Sequence, residues 1–269
     1  MNQQAKLWDL FSSAKIYDLA HPLHASMPVS PNHPGFKMAL MRRHGDMVRA
    51  DGSSASNEVI MMGGHTGTHI DALCHVSYKG ELHGGHSADE AQRGGLFRIF
   101  GTETIPILFC RGVLLDVAST LSFDVLPPGF AVTADHLSKA AEAAKVRIEK
   151  GNAVLIRTGW TQYWNDPSRF LGLTDGAPGP DESAAAWLAE RGARVVGAET
   201  IAFECIPPGR GHALLPVHRT LIVENGIHII EGMNLSQLTA DKRYEFLFVV
   251  TPLKVVGATG VPVRPVAVV

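Results

Sequence analysis

Five short apolar runs, each bounded by turn residues, set the main constraint on the fold. They fall at residues 113–117, 153–157, 194–198, 246–250 and, just beyond a proline, 253–256. Each reads as a strand. Helices are fewer. Thr133 is a suitable N-cap for a helix from Ala134 to about Lys145, where Leu137, Ala140, Ala141 and Ala144 form one apolar stripe. Asp181 opens a second through 183–191, closed by Gly192, and a third runs from about Pro216 to Asn225, ended by Gly226. Between them lie turn-rich stretches at 21–35, 51–67, 78–95 and 171–180, in a chain with 27 glycines and 16 prolines. Strands interleaved with helices imply an α/β class with a mixed sheet. No stretch reads as a linker, so residues 1–269 are expected to form a single domain.

Charge and cysteine content narrow the partners. The 24 basic and 26 acidic residues leave a net charge of −2, which supplies no basic face for nucleic acid. Cys74, Cys110 and Cys205 cannot make a disulfide framework, so a reducing, cytoplasmic compartment is expected. Lys6, Asp9 and Lys15 interrupt the first sixteen residues, and no run reaches the ~20 apolar residues that cross a bilayer. The expected partner is a small molecule, with neither nucleic acid nor membrane.

The densest chemistry lies in Gly63-Gly64-His65-Thr66-Gly67-Thr68-His69-Ile70-Asp71-Ala72-Leu73-Cys74-His75. Glycines and threonines argue against a helix here. In an extended segment His65, His69 and Asp71 project to one face, and His75 can join them. Two imidazoles and a carboxylate suit Zn²⁺, Mn²⁺ or Fe²⁺ with positions left open for water and substrate. Gly67 permits close backbone approach, and Thr66 or Thr68 can supply supporting hydrogen bonds. Cys74 reads as a small core residue facing away, and Cys110 and Cys205 lack metal-like spacing. His83 and His86 read as a solvated turn, and Trp160, Tyr163 and Trp164 as core. No nucleotide-binding glycine loop and no Gly-x-Ser-x-Gly elbow occurs.

His-Thr-Gly-Thr-His-Ile-Asp with a histidine four residues on resembles the cyclase-like metal hydrolases, which include kynurenine formamidases and isatin hydrolases. Ile16-Tyr17-Asp18-Leu19 looks like the opening strand, Gly197-Ala198-Glu199-Thr200 is similar to a Gly-x-Asp-Thr segment, and Tyr244–Leu247 and Pro262–Arg264 resemble the closing strands. The resemblance implies a compact fold of the swivelling β/β/α type, assembled as a homodimer or homotetramer. It implies that His65, His69 and Asp71 hold a divalent metal, Zn or Mn, and that His75 is the general base. By the same resemblance His218 and Glu231 join Asp71 around a second ion, giving one or two ions in all. That pair is thirteen residues apart, one more than in the formamidases, and His212 with Glu224 is a competing pair. The aromatic residue that formamidases place in the first turn is Ser30 here, and Leu73 and Val76 replace a proline and an aromatic near His75. The implied activity is hydrolysis of a small amide, lactam or lactone by activated water. A metal-dependent lyase or cyclase, or a non-catalytic metal-binding protein, are the alternatives.

Overall fold

The computed structural model describes residues 3–211 and 213–269, so His212 lies outside the described residues. Helix α1 (Gln3–Ser13) precedes strand β1 (Ile16–Asp18), followed by β2 (Lys37–Arg42), β3 (Asn57–Met61) and β4 (His69–Asp71). Then come β5 (Leu108–Asp116), α2 (Ala134–Ala144), β6 (Ala153–Arg157), α3 (Glu182–Glu190) and β7 (Val195–Ala198). Strands β8 (His228–Glu231), β9 (Glu245–Val250), β10 (Gly260–Pro262) and β11 (Val266–Val268) complete the main elements. Nine of these strands form one sheet in the order β1–β11–β9–β5–β6–β7–β8–β4–β10. Strands β5 to β8 are parallel to their neighbours within that set, and the flanking pairs are antiparallel.

The four parallel strands are apolar almost without interruption, as strands covered on both faces must be. Leu114, Leu155 and Ile230 enter one core with Ile70 and Phe248. Val113, Leu115, Val154, Ile156, Val196 and Ile229 enter the other, beneath α2 and α3. Both helices start where the sequence places them. Thr133 Oγ1 accepts from the His136 amide at 3.4 Å, and the His136 ring accepts from the Thr133 amide at 3.1 Å. Asp181 caps α3 through the Ala184 amide at 3.0 Å.

Three expectations need correcting. The run at 113–117 is the end of a longer strand, because Asp116 accepts the Ser119 amide and turns Val117 into a helical turn. Residues 253–256 form no strand. Their backbone bonds are local, Val255 to Leu253 and Ala258 to Val255, and Leu253 and Val256 are exposed. The third helix starts as an α-turn at Pro216–His218 and continues as a π-helix over Arg219–Glu224. One pair of strands, β2 and β3, goes unread in the sequence, β3 within the turn-rich stretch 51–67, because both of its faces stand in solvent. No helix among the described residues is long and apolar enough to cross a membrane.

His21 ties the first loop to this framework. Its ring stacks on Trp164 with centroids 4.0 Å apart, and Nε2 lies 2.7 Å from Thr161 Oγ1. Burial lowers its pKa to about 4. Above pH 6.5 the ring is neutral in both folded and unfolded chains. Below it, the unfolded chain takes up a proton that the native one resists, so stability falls by up to about 1.4 kcal/mol per pH unit until about pH 4, less the share screened at the ring's exposed edge. His21→Phe keeps the stack and removes the titration. Its stability relative to wild type, from urea melts at pH 7.5 and pH 5, is expected to rise on acidification.

Candidate metal centre

Strand β4 sets two side chains side by side. His69 and Asp71 share one face, while Ile70 between them is fully buried in the opposite core. The antiparallel register with β8 places Glu231 directly opposite His69. His65 reaches the same spot by a different route from the one its spacing implies. Residues 64–68 are bent rather than extended, with Gly67 at φ +67. A side chain there meets strain as well as Leu23. The backbone around His65 also depends on two small residues: a Cβ on Gly64 would collide with the Gly260 carbonyl, and one on Gly260 with the His65 ring. Thr68 braces the bend by donating to the Gly232 carbonyl at 2.6 Å and accepting from the His21 amide at 3.0 Å.

His218 arrives from the turn that opens the π-helix. A π turn holds one residue more than an α turn, which accommodates the thirteen-residue spacing and still brings His218 onto Glu231. Nε2 of His218 lies 3.1 Å from Glu231 Oε1 and 3.6 Å from Asp71 Oδ2. The five side chains of His65, His69, Asp71, His218 and Glu231 come from three separate segments and are between 1% and 7% exposed.

Each imidazole of this group has its far nitrogen held. His65 Nε2 lies 2.9 Å from Thr259 Oγ1, His69 Nδ1 donates to the Gly67 carbonyl at 2.9 Å, and His218 Nδ1 donates to Glu204 at 2.6 Å. The near nitrogens therefore face inward. His65 Nδ1 is 2.8 Å from Asp71 Oδ1, and His69 Nε2 is 3.3 Å from Glu231 Oε2. Among the described residues, two buried atoms at the centre, His69 Nε2 and Asp71 Oδ2, make no well-aligned hydrogen bond. Unpaired polar atoms in an interior are costly unless something else satisfies them. Donor atoms of His65, His69 and Asp71 lie within 4.8 Å of one another, as do those of Asp71, His75 and His218. Asp71 belongs to both groups. The donor set fits a divalent cation.

His75 differs from the other three imidazoles. Among the described residues its ring has no hydrogen-bond partner, and it stacks on His65 with centroids 3.9 Å apart. Burial, reinforced by the neighbouring His65 and His218, lowers its pKa to about 4 and keeps it neutral. The carboxylates act oppositely elsewhere. Burial alone would lower His69, but Glu231 and Asp71 raise it to about 9, and His218 is likewise held well above its ordinary value. Burial alone would raise Asp71, but His75, His218 and His65 hold it well below the usual carboxylate range. The cluster attracts positive charge.

The structure thus brings His65, His69, Asp71, His75, His218 and Glu231 together. Glu224 stands apart in a partly exposed pair with Arg219 at 3.1 Å, and its proposed mate His212 is outside the described residues. Glu204 and Thr259 were not foreseen. Glu204 has a signal in the sequence, a lone acid in the apolar stretch Ile201-Ala202-Phe203-Glu204-Cys205, whereas Thr259 has none. Glu204 also accepts the amides of Val217 and His218, so it fixes both the backbone and the ring of His218. Glu199 is fully buried and accepts from the Thr158 amide at 2.9 Å, pinning the turn after β6. A cavity of about 180 Å³ opens onto the cluster, walled by Ser30, Asn32 and His33 on its polar side and Ile201, Ala202 and Leu215 on its apolar side.

Residues 17–205 match the family described as Cyclase. The chain belongs to the cyclase family. An isatin hydrolase of Roseibium aggregatum is 27% identical over 224 residues, covering 82% of this chain and 77% of that protein. A solved cyclase superposes with a TM-score of 0.85 at 26% identity, covering 99% of this chain and 93% of the other. A second structure, described as a potential metal-dependent hydrolase with cyclase activity, gives a TM-score of 0.61 at 25% identity, covering 96% and 100% of the two chains. The mixed sheet with few helices is the architecture of these cyclase-family neighbours, as the sequence resemblance implies.

Proposed function

We propose that this cyclase-family chain is a metal-dependent hydrolase acting on a small amide, lactam or lactone. The convergence of His65, His69, Asp71 and His218, with Glu231 3.3 Å from His69 Nε2 and 3.1 Å from His218 Nε2, carries the reading. The isatin hydrolase relative and the hydrolase-like structural neighbour support it. His65, His69 and Asp71 would hold one divalent ion, and Asp71, His218 and Glu231 a second. When bound, such ions supply Lewis acidity toward a carbonyl oxygen and lower the pKa of water.

The rest of the chemistry falls to the chain itself. His75, neutral and, among the described residues, free of hydrogen bonds, accepts a proton from the attacking water at a ring nitrogen. It returns that proton to the departing nitrogen or oxygen. The cavity admits a molecule smaller than the usual drug-sized ligand. Its polar wall of Ser30, Asn32 and His33 orients the polar end, and Ile201, Ala202 and Leu215 exclude water from the other. A panel of small amides, lactams and lactones assayed in ¹⁸O-labelled water tests the reaction class. Hydrolysis places one labelled oxygen in the product, and turnover without label would reassign the chain to a lyase or cyclase reaction.

Glu204 is the support this reading depends on, since a carboxylate on the far nitrogen fixes a ligating imidazole. Glu204→Gln is expected to weaken divalent-ion affinity about 10- to 100-fold, read by competition with a chromogenic chelator. The glutamine oxygen can still accept from His218 in place of Oε1, but its NH2 then faces the Val217 amide that Oε2 accepts in the native chain, so a modest fall in the thermal melt is expected beside the loss of affinity.

A further inference from the structure

The cavity at the metal cluster encloses about 180 Å³, less than the roughly 300–1,000 Å³ of ordinary ligand sites. It has room for a reacting amide or ester group and little more. A second cavity, of about 460 Å³, adjoins it, and Leu215 lines both. Their walls pass from one to the other in single residue steps: His75 to Val76, Leu215 to Pro216 and His218 to Arg219. The second cavity thus begins one residue from the proposed base and one from a proposed ligand, whose rings stand 6.2 Å apart between centroids.

The lining indicates what enters it. Val76, Tyr78, Leu214, Leu215 and Pro216 give it a mainly apolar wall. Leu214 is 71% exposed and Tyr78 41%, so the chain itself does not cover them. Hydrocarbon laid on such side chains removes apolar surface from water on both partners. The charges on this wall are already paired. Arg219 meets Glu182 at 3.2 Å and Glu224 at 3.1 Å, and its guanidinium lies 5.1 Å from the centre of the Tyr78 ring. A cation beside two carboxylates leaves no net positive charge to attract an anionic group.

We infer that the second cavity is a substrate subsite for an aliphatic arm. The reacting carbonyl lies at the metal cluster, and a chain of several carbons crosses Leu215 onto Val76, Leu214 and Tyr78. The inference rests on the hydrolase reading for the position of the carbonyl. It adds the class of substrate, an amide, lactam or lactone that carries an alkyl chain, and it makes Leu215 the boundary between the two subsites.

Linear alkyl hydroxamates test it by calorimetry on the zinc-loaded protein, because the hydroxamate group chelates a divalent ion while the chain length varies. Octanohydroxamate is expected to bind at least about 10-fold more tightly than butanohydroxamate, the gain from four methylenes each buried over about half its surface. Leu214→Asp sets a carboxylate on that wall and should bring the two affinities together. Its thermal melt should hold, since Leu214 is exposed. Leu173→Asp, at an exposed leucine outside the cavity, should keep the wild-type ratio. A smaller ratio in the wild type, or one that Leu214→Asp leaves intact, overturns the inference while the hydrolase reading stands. A chain of the same length ending in a carboxylate that binds more tightly than octanohydroxamate overturns it in favour of an anionic group read by Arg219. Failure of every hydroxamate to bind contradicts the metal centre itself, and the inference with it.

Discussion

Asp71→Asn is expected to leave a folded protein that takes up no divalent ion and has lost its hydrolase activity. Asp71 is the one side chain common to both donor groups, and among the described residues its Oδ2 makes no well-aligned hydrogen bond. Asparagine keeps the shape and can still meet the His65 ring through its oxygen, now 2.8 Å away in the native cluster. It cannot supply the negative charge. Several kcal/mol of transition-state stabilisation disappear with the ion, so turnover should fall about 10³-fold or more. Ion content and activity are to be measured on the same preparation, with a thermal melt as the control for folding. A variant that keeps full ion content would remove Asp71 from the ligand set.

His75→Ala is expected to separate turnover from ion binding. The loss in kcat should be about 10²- to 10⁴-fold, the usual contribution of a positioned general base, at unchanged ion content. The basis is the contrast with its neighbours: His65, His69 and His218 each have the far nitrogen anchored, whereas among the described residues the His75 ring makes no hydrogen bond and packs against the His65 and His218 rings. Removing it opens a space beside His65, and added imidazole should restore part of the rate. His75 also lies within ligand distance of Asp71 and His218. Loss of ion together with activity would therefore make it a ligand and leave the proton transfer to another group.

Much of the site was legible because its first half is local. His69 and Asp71 are two apart on a strand, so pleating alone puts them on one face. His65 reaches the cluster by a bend at Gly67 and not by the alternation its spacing implies. The second half was legible only through resemblance. His218 and Glu231 lie about 150 residues further on, and only the β4–β8 register and the π-helix bring them in. Glu204 and Thr259 escaped because supporting hydrogen bonds follow from tertiary approach and leave no spacing pattern. In the fold, α2 and α3 were read nearly to the residue because their caps are local chemistry. The β2–β3 hairpin was missed because its apolar residues do not alternate with polar ones, so period-two patterning fails.

The central claim is that the His65–Glu231 cluster holds metal. Its most direct test is divalent-ion content per chain by plasma mass spectrometry, on protein purified without chelator or a metal-affinity tag. The account predicts about two equivalents, as a site with a shared carboxylate requires, with the content lost in Asp71→Asn. Protein that carries no ion and takes up none from Zn²⁺ or Mn²⁺ solutions would contradict it.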